Sequence, residues 1–118
     1  MSTEFNIQVG LHTIGGEELF FLIEEGNAND GNFSLALEMI DLAADCGASA
    51  IEFQLAISSD FYVKDDPAYE RYKKREFSEN QIRQLIKRAS AKGLDFVAAP
   101  LSHNLIEILV KAGCSAFT

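Results

Sequence analysis

The sequence has few basic residues. Its 118 residues include ten Lys and Arg against 18 Asp and Glu, which gives a formal net charge of −8. A surplus of negative charge repels the phosphates of nucleic acids and the headgroups of anionic membranes. We therefore expect neither nucleic acid nor a membrane surface among the partners.

Long apolar runs are also missing. The longest run, residues 19–23, is far shorter than the roughly 20 residues that a transmembrane helix needs. The first ten residues, MSTEFNIQVG, have neither the basic segment nor the apolar segment of a signal peptide. We therefore expect no signal peptide.

Cysteine is scarce as well. Cys46 and Cys114 each lie close to a glycine at the predicted end of a helix. Free cysteines in such places usually act as small buried hydrophobic residues in a reducing compartment. We predict that role for both residues, without a disulfide, and a cytoplasmic location.

What the sequence does contain is a repeated alternation of strand and helix patterns. Short apolar runs typical of buried strands alternate with helical periodicity, and Gly47, Gly93 and Gly113 mark the helix ends. The predicted strands lie at residues 5–9 and 11–14, which form a hairpin, and at 19–24, 48–55, 95–99 and 115–118. The predicted helices lie at residues 33–46, 68–74, 78–93 and 102–113.

This order predicts an α/β fold of parallel strands joined by right-handed crossovers. Two arrangements fit it, a doubly wound open sheet and the first half of a (β/α)8 barrel. The stretch GNANDG, residues 26–31, lacks the G-x-G-x-x-G spacing of a dinucleotide site, which disfavours the open sheet. We expect residues 1–18 to form a hairpin extension. Residues 19–118 are expected to supply about three βα units and a fourth strand of a truncated barrel.

The connection at residues 56–77 is unusually long for a compact domain, which is typical of a functional loop. Its basic run Lys73-Lys74-Arg75 is interpreted as the solvated end of a helix. The same run borders the predicted barrel mouth, where it could reach an anionic ligand.

Polar side chains stand where the predicted strands end. Strand alternation places Glu24, Glu52 and Gln54 on the same interior side, and Glu25 is expected to point outward or into the loop. Barrel enzymes bind their ligands at the carboxyl ends of the strands. The three interior side chains are therefore either a polar layer satisfied by backbone groups and water or part of a ligand site.

Four segments of the chain, in order and in register, resemble the sialic acid synthase family. They are LIEEGNANDGNFSLALEMIDLAADCGASAIEFQ, DDPAYERYKK, FSENQIRQLIKRASAKGLDF and APL with AGCSAF. Members of that family begin their barrel with E-x-G-x-N-H-x-G and continue with G-A-D-A-V-K-F-Q. The resemblance covers nearly the whole chain from about residue 19 onward.

The resemblance implies a TIM barrel that condenses phosphoenolpyruvate with an N-acylated hexosamine such as N-acetylmannosamine, with loss of phosphate. It also implies a divalent metal, manganese or magnesium, whose ligands are expected beyond residue 118. Glu24 matches the family's acidic residue on the first strand and is predicted to be catalytic. Glu52, Gln54, Asn29 and His103 are predicted to bind substrate. Asn29 could instead form a turn, and His103 could be solvated.

Several positions depart from the family pattern. Glu52 replaces the lysine of K-x-Q, Ala98 and Ala99 replace two hydroxyl residues, and Thr118 falls where a second lysine is expected. Two unit charges about 4 Å apart interact by roughly 4 kcal/mol at an effective dielectric near 20. Exchanging a lysine for a glutamate therefore opposes binding of phosphoenolpyruvate in the family's manner.

Two alternatives to a synthase follow from these departures. One is a diverged barrel enzyme that uses Glu24 and Glu52 to hold a metal or a cationic substrate. The other is a non-catalytic relative that serves in binding or assembly. In all three cases the open face and edges of a partial barrel predict a homodimer.

Overall fold

The computed structural model describes residues 5–118. An antiparallel hairpin precedes an alternation of strands and helices, with one short 3-10 turn at Ser58–Asp60. The strands are β1 (Ile7–Val9), β2 (His12–Ile14), β3 (Leu22–Gly26), β4 (Ala50–Leu55), β5 (Asp95–Pro100) and β6 (Ala116–Phe117). The helices are α1 (Phe33–Asp45), α2 (Pro67–Lys73), α3 (Glu79–Ala91) and α4 (Leu105–Ala112).

The sheet runs in sequence order. Strands β3, β4, β5 and β6 pair as parallel neighbours, and the hairpin β1–β2 forms a separate sheet. A doubly wound sheet reverses its strand order at a switch point, whereas a barrel adds each strand beside the previous one. The observed order confirms the prediction of a partial barrel with an N-terminal hairpin.

The core lies between the outer face of this sheet and the helices. Phe53 of β4 and Phe96 of β5 stack with their ring centroids 5.2 Å apart. Helices α1, α3 and α4 cover them with fully buried aliphatic side chains, Ile40, Ile82, Leu85 and Leu109. All three helices pack on one face, so the opposite face carries the side chains that a barrel would enclose.

The helix boundaries follow local capping chemistry. Asn32 caps α1 by accepting a hydrogen bond from the Leu35 N–H. Ser78 and Gln81 form a reciprocal capping box at the start of α3, as their spacing predicts. No helix among residues 5–118 is long and apolar enough to cross a membrane.

Two sequence-based expectations need correction. Both cysteines are expected to be buried, but Cys46, which follows α1, is exposed. Cys114 is half-buried, so the expectation is met only in part. Strand β3 begins at Leu22 rather than at residue 19, because Leu19 and Phe21 are exposed and only the later residues pair with β4.

The hairpin is fixed to the amino-terminal end of the sheet through Asp95, the first residue of β5. The Asp95 carboxylate is 2% exposed and accepts hydrogen bonds from the Leu11 N–H and from the Ser115 hydroxyl. The Nδ1 atom of His12 lies 2.8 Å from Asp95 Oδ2. Gly10 passes so close that a Cβ there would stand 2.0 Å from Asp95 Oδ1. This end of the sheet is therefore closed, and the opposite end stays open to ligands.

Candidate functional site

A cleft of about 280 Å³ opens at the carboxyl ends of the strands. Residues from the β3 and β5 loops, the end of β4 and the long connection line it: Asn27, Gln54, Ala56, Ser58, Phe61, Tyr62, Tyr72, Arg75 and Leu101. This edge of a barrel sheet is where ligands bind. Of the five residues predicted to be catalytic or to bind substrate, Gln54 alone is among these lining residues, and Arg75 of the basic run is among them as well.

An amide pair forms one wall of the cleft. Gln54 projects from the inner face of β4, because Phe53 and Leu55 on either side of it point into the core. Its Oε1 accepts a hydrogen bond of 2.9 Å from Asn27 Nδ2. Among residues 5–118, Gln54 Nε2 and the side-chain oxygen Oδ1 of Asn27 make no hydrogen bond, so they can bind hydroxyl or acylamino groups of a ligand.

An aromatic pair from the long connection forms a second wall. The rings of Tyr62 and Tyr72 stack with centroids 5.1 Å apart and planes inclined by 18°. Desolvation and the neighbouring Tyr72 phenol raise the pKa of Tyr62 above its ordinary value. The prediction that residues 56–77 are functional stays a prediction. What supports it is that Tyr62 and Tyr72 of this segment line the cleft.

Arg75 brings the one positive charge among the residues that line the cleft. Its guanidinium carbon lies 4.9 Å from the Tyr72 ring centroid, a cation–π distance. Its Nε donates a hydrogen bond of 2.6 Å to Asp30 Oδ1 in the turn after β3. A Cβ on the neighbouring Gly31 would stand 2.1 Å from the Lys74 carbonyl oxygen. The turn and the end of α2 are therefore in close contact beside the cleft.

Glu76 links the two ends of the long connection at residues 56–77. Its Oε1 accepts a hydrogen bond from the Ser58 N–H, and its Oε2 accepts one from Lys73 Nζ. Burial raises the pKa of Glu76, but the hydrogen bonds from Lys73 and Ser58 outweigh it and lower the pKa below its ordinary value. Within the basic run at 73–75, Lys73 therefore pairs with Glu76, whereas Arg75 lines the cleft.

Glu24 and Glu52 lie side by side on the inner face of the sheet. They are register partners in the parallel β3–β4 pair, as strand alternation predicts. Glu24 is exposed, whereas Glu52 is only 7% exposed. Both face the interior of the partial barrel beside the cleft. The catalytic role predicted for Glu24 and the substrate-binding role predicted for Glu52 remain predictions.

Of the two positions expected for Glu25, outward or in the loop, the structure shows the loop, where the side chain is buried. The register of β3 shifts between Glu24 and Gly26, and Gly26 adopts a positive φ of 64°. This bulge turns Glu25 into the β3 loop, where its Oε1 accepts hydrogen bonds from the backbone N–H and the side-chain amide of Asn29. The sequence signal for this bulge is Gly26, because a glycine within a strand often marks a bulge.

Asn29 and His103 differ in what they can offer a ligand. Asn29 is buried, and its side chain already donates to Glu25 and accepts from the Gly31 N–H. His103 is exposed in the loop after β5. The neighbouring Ser102 is 1% exposed and accepts a hydrogen bond from the Ile57 N–H, so it ties two mouth loops together instead of capping α4. The substrate-binding roles of Asn29 and His103 stay predictions.

A model of the NeuB family matches residues 39–118. An uncharacterised protein of Methanocaldococcus jannaschii is 35% identical over 112 residues, which cover 94% of this chain and 33% of that protein. The human N-acetylneuraminate-9-phosphate synthase is 29% identical over 110 residues, or 81% of this chain and 31% of the human protein. The chain thus spans about a third of the length of these curated relatives.

A solved structure supports the same assignment. The crystal structure of an N-acetylneuraminic acid synthetase from Leptospira borgpetersenii, in complex with citrate, superposes with a TM-score of 0.84 at 31% identity. The match covers 97% of this chain and 40% of the Leptospira protein. Together with the family model, which matches more than half of the sequence, this likeness confirms what the motifs indicate: the chain belongs to the NeuB family, the family of the sialic acid synthases.

Proposed function

We propose that this chain forms the sugar-binding side of a carbohydrate-biosynthesis barrel that condenses phosphoenolpyruvate with an N-acylated hexosamine. Family membership and the names of the human and Leptospira relatives support this activity. The observation that carries the proposal is the cleft, which combines the Asn27–Gln54 amide pair with the Tyr62–Tyr72 stack.

The chemistry of these walls suits a sugar. Amides donate to and accept from hydroxyl and acylamino groups, and aromatic rings pack against the C–H faces of a sugar ring. The cleft lies at the carboxyl ends of the strands, so a bound hexosamine would face the inner surface that carries Glu24 and Glu52. In this proposal Gln54 orients the sugar, and Glu24 contacts the reacting end of the sugar.

A divalent metal would act as a Lewis acid in such a reaction. Residues 5–118 contain no group of three or more His, Cys, Asp or Glu side chains arranged to hold a metal ion. The carboxylates of Glu24 and Glu52 are only two potential ligands. The described residues therefore do not fit a complete metal site, and we assign no step to the metal.

A diverged relative without a phosphoenolpyruvate site is the second candidate. The observation that favours it is the placement of Glu52, which is buried beside Glu24 where the family has a lysine. Two neighbouring carboxylates repel an anion and attract a cation. This candidate predicts binding of a cationic ligand, or none, at the inner face.

Calorimetric titration with N-acetylmannosamine tests the synthase proposal. The Gln54→Ala variant is expected to bind the sugar roughly fivefold more weakly, because a typical hydrogen bond contributes about 1 kcal/mol. Gln84→Ala, which removes the same group from an exposed position on α3, is the matched control. An absence of binding by the unmodified chain would contradict the proposal, as would equal affinities for the two variants.

A further inference from the structure

The hairpin closes the amino-terminal end of the sheet but leaves a cavity beside it. The cavity has a volume of about 410 Å³, within the range of about 300–1,000 Å³ that is usual for small-molecule sites. It lies between strand β2, the segment that leads into β3 and the residue before β4. Its polar and aromatic lining residues are His12, Thr13, Glu17, Glu18, Phe20 and Ser49. None of them lines the cleft, so this cavity is a separate candidate site.

A buried carboxylate orients the imidazole of His12 at the wall of this cavity. Asp95 is 2% exposed, and its Oδ2 lies 2.8 Å from His12 Nδ1. The Leu11 N–H and the Ser115 hydroxyl donate to the same carboxylate. A carboxylate only accepts hydrogen bonds, so His12 Nδ1 is the donor and carries the hydrogen. In the neutral ring Nε2 is therefore an acceptor.

The acceptor atom of His12 is available to a ligand. Among residues 5–118, Nε2 makes no hydrogen bond, and the side chain is 28% exposed. The imidazole packs edge-on against Phe20, with ring centroids 6.2 Å apart and planes inclined by 72°. Since Nδ1 is turned towards Asp95, the opposite nitrogen is turned away from it. The ring is thus held in one orientation by Asp95 and Phe20, and its free nitrogen belongs to the lining of the cavity.

The other polar groups of the cavity are rich in acceptors and carry negative charge. Glu17 and Glu18 add two exposed carboxylates, and no Lys or Arg is among the residues of 5–118 that line the cavity. Ser49 is 8% exposed, and its Oγ accepts a hydrogen bond from the Phe21 N–H, which leaves a second lone pair. Such a lining favours a ligand that carries positive charge and several N–H donors.

These groups do not suit a metal ion. Residues 5–118 contain no group of three or more His, Cys, Asp or Glu side chains arranged to hold one. The ligands of zinc converge to about 2.0–2.2 Å from the ion, whereas the partners of an ammonium nitrogen lie at about 2.7–2.9 Å. An ammonium group has three donors and no acceptor, which matches one imidazole nitrogen and two carboxylates in number and in charge.

We propose that this cavity binds a primary alkylammonium ion, a small amine with a short apolar chain. Its ammonium group donates hydrogen bonds to Nε2 of His12 and to the carboxylates of Glu17 and Glu18. Its alkyl chain packs against the apolar part of the lining, Leu11, Leu19 and Phe20. The site lies at the opposite end of the strands from the cleft and is independent of the proposed function.

The test is a titration of the full chain with n-butylammonium at pH 8, where an alkylammonium keeps its charge. Calorimetry measures affinity, and NMR of the imidazole nitrogens shows whether the Nε2 resonance of His12 shifts. Two further probes separate the forces: n-butanol has the chain without the charge, and tetramethylammonium has the charge without N–H donors. Both should bind roughly 10- to 100-fold more weakly than n-butylammonium, which is the range for hydrogen bonds to a charged group.

Variants assign the binding to named groups. His12→Asn keeps a side-chain donor close to the position of Nδ1 and removes Nε2, so it should weaken n-butylammonium binding about tenfold. Glu17→Gln and Glu18→Gln should each weaken it severalfold. Glu38→Gln is the matched control, because Glu38 is exposed on the outside of α1. Hydrogen exchange at the Leu11 amide shows whether the hairpin stays attached to Asp95 in His12→Asn.

Each result supports or overturns the proposal. Absent binding of n-butylammonium overturns it, as does equally tight binding of n-butanol or of tetramethylammonium. An equal loss in Glu38→Gln overturns it by showing attraction to the net charge alone. Unchanged binding in His12→Asn with a protected Leu11 amide overturns it as well. If that amide exchanges faster, the two glutamate variants decide, and unchanged affinity in both overturns the proposal.

Discussion

The carboxylate of Glu25 accepts two hydrogen bonds from Asn29, one from its backbone N–H and one from its side-chain amide, each 2.7 Å from Oε1. The other oxygen, Oε2, is buried and has no hydrogen-bond partner among residues 5–118. A half-satisfied buried carboxylate is costly when charged. The loop between β3 and α1 therefore contains a group whose charge opposes folding.

This arrangement predicts a specific pH dependence of stability. Burial raises the pKa of Glu25 above its ordinary value of 4.5, despite the two opposing hydrogen bonds from Asn29. The folded chain therefore holds the proton more tightly than the unfolded chain, so the stabilisation is complete below about pH 4.5 and is lost as the pH rises through the raised pKa. Urea denaturation from pH 4 to pH 8 should show the unmodified chain losing stability relative to Glu25→Gln.

Glu38→Gln is the control for this measurement, because Glu38 is exposed on α1. Its free energy of unfolding should follow that of the unmodified chain across the same pH range. A constant difference between Glu25→Gln and the unmodified chain would show that the Glu25 pKa is not raised by folding.

Glu52→Lys should increase the affinity for phosphoenolpyruvate if the rest of the family site is present. The motif resemblance implies a lysine at the position of Glu52, and charges about 4 Å apart interact by roughly 4 kcal/mol at an effective dielectric near 20. We expect calorimetry to show at least a tenfold gain. Glu38→Lys, with the same charge change on the outside of α1, should show none. No heat from the unmodified chain and from Glu52→Lys alike would mean that the site has been lost more completely.

Much of the fold could be predicted from the sequence because it depends on local patterns. Alternation placed Glu52 and Gln54 on the inner face of β4, and the capping box at Ser78 located the start of α3. Alternation did not decide between the two positions expected for Glu25, because a bulge interrupts it and a one-residue shift moves a side chain to the other face.

The composition of the cleft could be predicted only in part. The length of the connection at 56–77 indicated a functional loop, but no periodic pattern relates Tyr62, Tyr72 and Arg75 to Gln54. Their proximity depends on tertiary contacts, among them the Ser58–Glu76 hydrogen bond and the Asp30–Arg75 ion pair. Contacts between irregular segments produce no regular residue spacing, so they cannot be predicted from the sequence alone.

Asp95→Ala should destabilise the chain by about 3 kcal/mol, because it leaves the donors on Leu11 and Ser115 without their partner. Asp95→Asn keeps one acceptor oxygen and should cost less. Asp60→Ala, at an exposed position, is the control for chemical denaturation. Hydrogen exchange at the Leu11 amide should accelerate in Asp95→Ala, and unchanged exchange there would contradict the role of Asp95 in holding the hairpin.

Self-association is the last prediction. It rests on the two edge strands of the sheet and on exposed apolar side chains. Strands β3 and β6 are its edges, and each presents unpaired backbone groups. Large apolar side chains are exposed at these strands and on the helices: Phe21, just before β3, is 44% and Phe117 of β6 is 42% exposed, and Leu42 of α1 is 60% and Val110 of α4 is 59% exposed. Covering such surface is favourable by roughly 25 cal/mol per Å².

A two-fold dimer is the simplest way to cover these surfaces, because one patch on each copy then meets the same patch on the other. Light scattering at increasing concentration should show dimers at tens of micromolar. Leu42→Asp or Val110→Asp should shift the equilibrium towards monomer, since each places a charge in an apolar contact. Gln84→Asp adds the same charge to an exposed polar site on α3 and should leave the equilibrium unchanged. A compact monomer throughout this range would mean that these apolar edges do not drive association of the chain with itself.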